Sequence, residues 1–404
     1  MNEFFLKIMI LPILKIFFQT VTPVQNVVLK RNFWLRSPFW DFIWLHSGLW
    51  LWIIILAFSN QPELELFYIA GVFLFWISHR FSSFYIAWGT LSYRNLRASQ
   101  PWRFKFIPAI LVLSVFVILF IPEEILPVSV SVRILGLMLL DFFWGMHHFA
   151  AQHYGILRLF QNMENHSSSN SSKLHDRLFC WGMGFILVLI AELLHGVSFL
   201  QEKEILPSTL QYWENDVIQI IVRSFTLLVL VVTAILIRNA FVKNSGLPRI
   251  LYILGLGIMV TCAFQLQPVE FLMLWTLQHW ITALGLTAQM GGNDIKNIMS
   301  LKARLYKKFT FSGYQNQFIV LLPLCIISVI LTPFFEIESV SSGVRYSELI
   351  FPTLLYWLEN SSSLTFILGV GLASGFVHYF MDRAVYRFSD SETRKCAKDL
   401  LLSR

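Results

Sequence analysis

Eight of the ten histidines of this 404-residue chain, His46, His79, His147, His148, His153, His195, His279 and His378, stand within or at the edge of long apolar stretches. Asp41, Asp141, Glu192, Asp382, Arg80 and Arg223 share those stretches. Ionisable side chains are costly in hydrocarbon, so such residues are functional candidates by default. Several neutral imidazoles with one or two carboxylates form a donor set for iron, zinc, copper or manganese. The four cysteines, Cys180, Cys262, Cys325 and Cys396, are scattered, with no CxxC pair. That spacing argues against an iron–sulfur cluster.

The densest segment is DFFWGMHHFAAQHYGILR, residues 141–158. At about 100° per residue, Asp141, His148 and Gln152 form one narrow stripe, with His147 and His153 turned roughly 100° and 140° away from His148. A polar seam that packs helices is the structural alternative. In GFVHYFMDRAVYRF, residues 375–388, His378 and Asp382 are four apart and face the same way. Asp382 is there a ligand or the partner of the second His378 nitrogen, with Arg383 placed to neutralise it. His79 precedes Arg80, and His279 follows Gln278. The expected metal ligands are therefore His79, His147, His148, His153, His279, His378 and Asp382, with Asp141, His153 and Asp382 as catalytic groups. His46, Gln152, Arg80, Arg383, Glu192 and His195 are expected in supporting roles, Glu192 and His195 as an i,i+3 pair. His166 and His175 belong to a polar linker and carry no expected role.

The elements that must position these residues are membrane spans. Hydrophobic residues make up 56% of the chain and charged residues 14%, against about 25% charged in a soluble domain. A soluble enzyme, a disordered chain, a coiled coil and a disulfide-stapled domain are excluded. About ten stretches are long enough to cross a bilayer: 39–58, 67–86, 106–121, 134–155, 178–199, 217–237, 250–267, 270–289, 314–332 and 363–382. They lack the alternation of barrel strands. The expectation is an all-α polytopic integral membrane protein, a bundle of about ten transmembrane helices. Residues 1–38 form a cytoplasmic or interfacial segment, 39–382 one transmembrane domain and 383–404 a cytoplasmic tail. With both termini inside, 26 basic residues fall on the cytoplasmic side, and only Arg133, Lys203 and Arg345 fall opposite. That asymmetry is the positive-inside pattern, and a bacterial inner membrane is the expected location. It explains the net charge of +7 without a nucleic-acid partner. Residues 4–19 read as an interfacial segment, 161–177 as a flexible linker and 349–358 as a re-entrant or interfacial helix.

The histidines of spans 2, 4, 8 and 10 share the middle or cytoplasmic depth of the bundle, which predicts one cluster. This arrangement resembles the site of the histidine-rich integral-membrane desaturases and hydroxylases, whose ligands also lie on the cytoplasmic side. Their HxxxH and HxxHH boxes do not occur here, so the likeness is one of site only. It implies iron, mono- or dinuclear, activating oxygen beside an apolar or lipidic substrate that enters from the inner leaflet. Membrane lipids and a cytoplasmic or membrane electron donor are the implied partners. Zinc and copper suit the same donors. Three alternatives stand beside this reading: a haem held between two of these histidines, a proton-coupled transporter with a His/Asp relay, and a metal-free lipid-linked transferase.

Overall fold

The computed structural model describes residues 33–59, 65–164, 170–191, 193–194, 215–242, 245–266, 268–303, 313–336 and 364–402. Among them there is no strand. The helices are α1 (Pro38–Trp44), α2 (Leu51–Ser59), α3 (Glu65–Phe84), α4 (Arg94–Ser99), α5 (Ile107–Phe120), α6 (Val130–Met163), α7 (Asn170–Trp181), α8 (Asn215–Val242), α9 (Leu247–Ala263), α10 (Pro268–Ala303), α11 (Gly313–Glu336), α12 (Leu364–Val385) and α13 (Ser391–Leu402). Several begin where proline stands in the first turn, as Pro38, Pro108 and Pro248 do, because its fixed φ suits that turn and its missing N–H has no partner there anyway.

Six stretches of helix among the described residues are long and apolar enough to cross a membrane: Trp102–Phe120, Val130–Met163, Lys173–Ala191, Gln219–Val242, Gln315–Thr332 and Leu364–Val385. The expected span 250–267 appears as the 17-residue α9, while 67–86 and 270–289 fall in α3 and α10. The most apolar window of Leu364–Val385 is 56% buried and that of Gln219–Val242 only 17%, so α12 is interior and α8 peripheral. Exposed Leu227, Leu228, Val231 and Ile235 on α8, and Leu135, Met138, Leu139 and Phe143 on α6, form faces suited to lipid and unsuited to water. At 1.5 Å per residue α6 is about 51 Å long, well beyond a hydrocarbon core of about 30 Å.

The sequence-based boundaries need three corrections. Segment 39–58 is not one helix but α1, a 3-10 turn at Ser47–Leu49, and α2. Asp41 turns its buried carboxylate back to accept from the Leu35 and Arg36 amides at 2.7 and 3.1 Å. Gly48 then lies so close to α9 that a Cβ would meet Met259 Sδ at 2.6 Å. The linker 161–177 is largely helical, since α6 runs to Met163 and α7 begins at Asn170. There Asp176 is anchored by Arg249 at 2.6 Å, and His175 lies on α7. The boundary at 382 falls inside α12, which runs to Val385, and beyond it α13 buries Ala397, Leu400 and Leu401 against the bundle and packs on α10. Residues 4–19, 349–358, His166, Glu192 and His195 lie outside the described residues.

Basic side chains also tie helix ends together. Arg133 donates to the carbonyls of Ile118, Ile121, Leu126 and Val128, closing the C-terminus of α5. Arg103 donates to the Ala384 carbonyl and to Thr393 Oγ1, joining α12 to α13.

Candidate metal centre

Four interior helices each bring one histidine to a common point. α3 carries His79, α6 His148, α10 His279, and α12 His378 with Asp382 one turn later. α3 packs on α10 and α12, and α12 packs on α6, so the four surround a shared axis. Histidine and aspartate at these depths are solvated only by one another, and all five side chains are buried.

One ligand atom from each of the five residues lies within 4.8 Å of the corresponding atom of every other. His148 Nε2 is 3.1 Å from His279 Nε2 and 3.3 Å from Asp382 Oδ2. The rings of His79 and His378 stand edge to face with centroids 4.2 Å apart, and those of His79 and His279 at 4.5 Å. Two donors each about 2.1 Å from one ion are separated by about 3.0 Å at a right angle and about 3.4 Å at a tetrahedral angle. The observed separations of the His148 nitrogen fall in that interval.

The hydrogen-bond account points the same way. Both nitrogens of His79 and of His378, His279 Nδ1 and Asp382 Oδ1 are buried without a hydrogen-bond partner. Asp382 Oδ1 and His378 Nδ1 are 3.7 Å apart, too far for a bond. Each such orphan costs roughly 1–3 kcal/mol. A seam that only packed helices would pair these atoms; a cation at their centre would engage the lone pairs directly. The residues therefore fit a metal ion.

Five of the seven sequence-expected ligands come together. His147 and His153 do not. His147 is exposed and faces the Trp181 ring edge-on at 5.9 Å. His153 is buried, but its Nδ1 is 2.8 Å from Tyr252 Oη on α9. Both lie on other faces of α6, as the helical period requires. His46 is also apart, its two ring nitrogens 2.9 and 2.8 Å from the Asp41 and Pro248 carbonyls. Gln152 Nε2 reaches the His279 carbonyl at 3.4 Å, from the edge of the cluster. Arg383 is exposed and its charge acts on His147, so it is not the neutralising partner of Asp382. Asp141 lies off the cluster too, bonded by Tyr379 and near the charge of Arg80.

A cavity of about 420 Å³ opens beside the cluster, touching His79, His279 and His378. Trp76 on α3, Met138 on α6, Met273 on α10 and Leu372 on α12 line it, and each precedes the clustered histidine of its helix. The four helices thus run in the same direction through the site. The cavity lies on their N-terminal side. Sequence reasoning gave no site role to Tyr379, which stands beside Asp141. No protein-family model matches the chain, and comparison with curated proteins and with solved structures returns no match.

Proposed function

We propose that the chain is a metal-dependent integral-membrane oxidoreductase acting on an apolar substrate, with iron, as one or two ions, the metal of first choice. The observation that carries this reading is the buried group His79, His148, His279, His378 and Asp382, with six of its nitrogen and oxygen atoms unpartnered. A metal bound there supplies Lewis-acid or redox chemistry. Four imidazoles and one carboxylate suit iron, zinc or copper better than magnesium or calcium, which prefer all-oxygen sites.

The chain's own residues set the conditions. The four helices hold the donors rigidly, and Phe149, whose ring lies 4.2 Å from that of His279, keeps water from that side. Asp382 supplies the negative charge that balances a cation. The adjoining cavity, lined mostly by apolar side chains, offers an apolar molecule direct access to the histidine edges. The compactness of the cluster counts against a haem, since a macrocycle would have to separate imidazoles that now touch. A proton relay would need all its members hydrogen-bonded in series, and the contacts stop at Asp382, His148 and His279, with His79 and His378 unpartnered.

The test is dioxygen uptake by iron-loaded protein in lipid nanodiscs, supplied with an apolar membrane extract and a chemical reductant. Uptake that depends on the extract and disappears in Asp382→Asn supports the proposal. Stoichiometric zinc with no uptake would sink the oxidoreductase assignment while leaving the metal site.

A further inference from the structure

The cavity beside the cluster has a polar corner that the metal-centre reading does not use. Asp141 on α6 and Tyr379 on α12 meet there, the phenol hydroxyl donating to the carboxylate. Two glycines make the meeting sterically feasible. A Cβ at Gly145 on α6 would meet Tyr379 Oη at 3.0 Å, and a Cβ at Gly375 on α12 would meet Asp141 Oδ1 at 2.8 Å. Each helix thus gives up a side chain where the other inserts its polar group.

Arg80 lines the same corner. Its Nη1 donates to Gly371 O at 2.8 Å and Ser374 Oγ at 2.7 Å, and its guanidinium lies 4.5 Å over the Trp76 ring. The Arg80 and Asp141 charges oppose one another, so this wall carries no net charge. Asp141 is partly exposed and lines the cavity, and its Oδ1, enclosed beside Gly375, receives no hydrogen bond. An acceptor in that state is completed by a donor, which a hydroxyl supplies and a carbonyl or an ether does not. A carboxylate would add a second anion beside Asp141. Apart from Thr276 and the edges of His79, His279 and His378, the remaining wall is aromatic, aliphatic and thioether, and the volume equals roughly fourteen water-sized groups.

We infer that the cavity binds an uncharged apolar alcohol, its hydroxyl donating to Asp141 and its hydrocarbon lying against the aromatic wall beside His79, His279 and His378. The inference rests on the metal-centre reading for any chemistry that follows, but not for binding itself.

The experiment is photolabelling of the full chain in phosphatidylcholine nanodiscs, with and without loaded metal. The probes are ten-carbon compounds bearing a mid-chain diazirine: an alcohol, a methyl ketone, a carboxylate and the plain alkane. Peptide mapping is expected to place the alcohol on cavity-lining segments of α3, α6, α10 or α12, about tenfold above the alkane, as one charge-assisted hydrogen bond allows. Asp141→Leu should bring alcohol labelling down to the alkane level and leave the alkane unchanged. Asp141→Asn, which keeps the shape, should lower the preference part of the way. Leu372→Trp, which fills the cavity from a buried position, should reduce both. Equal labelling by alcohol and alkane in the unmodified chain, a preference for the carboxylate or ketone, or labelling outside the cavity would overturn the inference. Alcohol-selective labelling of protein that binds no metal would retain the inference and refute the metal centre. Loss of that selectivity in metal-loaded protein would do the reverse.

Discussion

Three histidines within seven residues of α6 give the sharpest mutational contrast. His148 faces the cluster, His147 faces outward, and His153 binds Tyr252. Structural zinc sites with four ligands bind with about 10–16 kcal/mol, or roughly 3–4 kcal/mol per ligand. Removing one of the five donors here should therefore weaken metal binding by about 10²–10³-fold. His148→Ala also leaves the buried Asp382 Oδ2 without the imidazole now 3.3 Å away, a further loss of about 1–3 kcal/mol in stability of the metal-free protein. His147→Ala removes only an edge contact with Trp181, worth at most about 1.5 kcal/mol, and should retain the metal. His153→Ala breaks the Tyr252 bond, costs about 1–3 kcal/mol, and should also retain the metal. The assay is metal per folded chain after chelator challenge, on detergent-purified protein shown to be monodisperse. Metal loss in His147→Ala or His153→Ala with retention in His148→Ala would refute the assignment of faces on α6.

Three further outcomes are expected. Arg249→Ala removes the guanidinium 2.6 Å from the buried Asp176 carboxylate and leaves it only Arg158 at 3.9 Å, so it should lower stability by up to about 3 kcal/mol, read as a drop in the detergent melting temperature. At the start of α13 the Thr393 hydroxyl and amide hold the Asp390 carboxyl below its ordinary range. Its capping contribution is therefore present above about pH 4 and lost as pH falls through the lowered value, so protection of the α13 amides, relative to their intrinsic exchange at each pH, should fall at low pH in the unmodified chain but not further in Asp390→Ala. In a background with the four cysteines replaced by serine, Glu123→Cys should react with an impermeant maleimide on intact cells and Lys105→Cys should not; the reverse pattern would invert the orientation drawn from the basic loops.

Much of the site was legible because charge is expensive in an apolar helix. His79, His148, His279 and His378 occupy similar depths of their apolar stretches, and that marked them for one cluster, together with His147 and His153. The stripe of Asp141, His148 and Gln152 followed from the helical period, and all three face the bundle interior, toward the cavity, the cluster and α10. The same period already separated His147 and His153 from His148. Reaching a metal from either side of the stripe would have required side chains that cross it, and these instead found Trp181 and Tyr252. The break after Trp44 was not legible, because it depends on long-range partners: the Pro248 carbonyl for His46 and Met259 beside Gly48. The polar corner was hidden for the same reason. Nothing in the spacing of Gly145 and Gly375 shows that each stands opposite the polar side chain it admits. The charge asymmetry located loops but not helix lengths, so α6 and α10 extend well past the stretches counted as spans.

X-ray absorption at the metal edge of the purified, metal-replete protein tests the central claim most directly. The account predicts a first shell of nitrogen and oxygen only, with outer-shell scattering from three to four imidazole rings, and loss of one ring's contribution in His279→Ala. A sulfur ligand, fewer than two imidazoles, or a folded protein that retains no metal would contradict it.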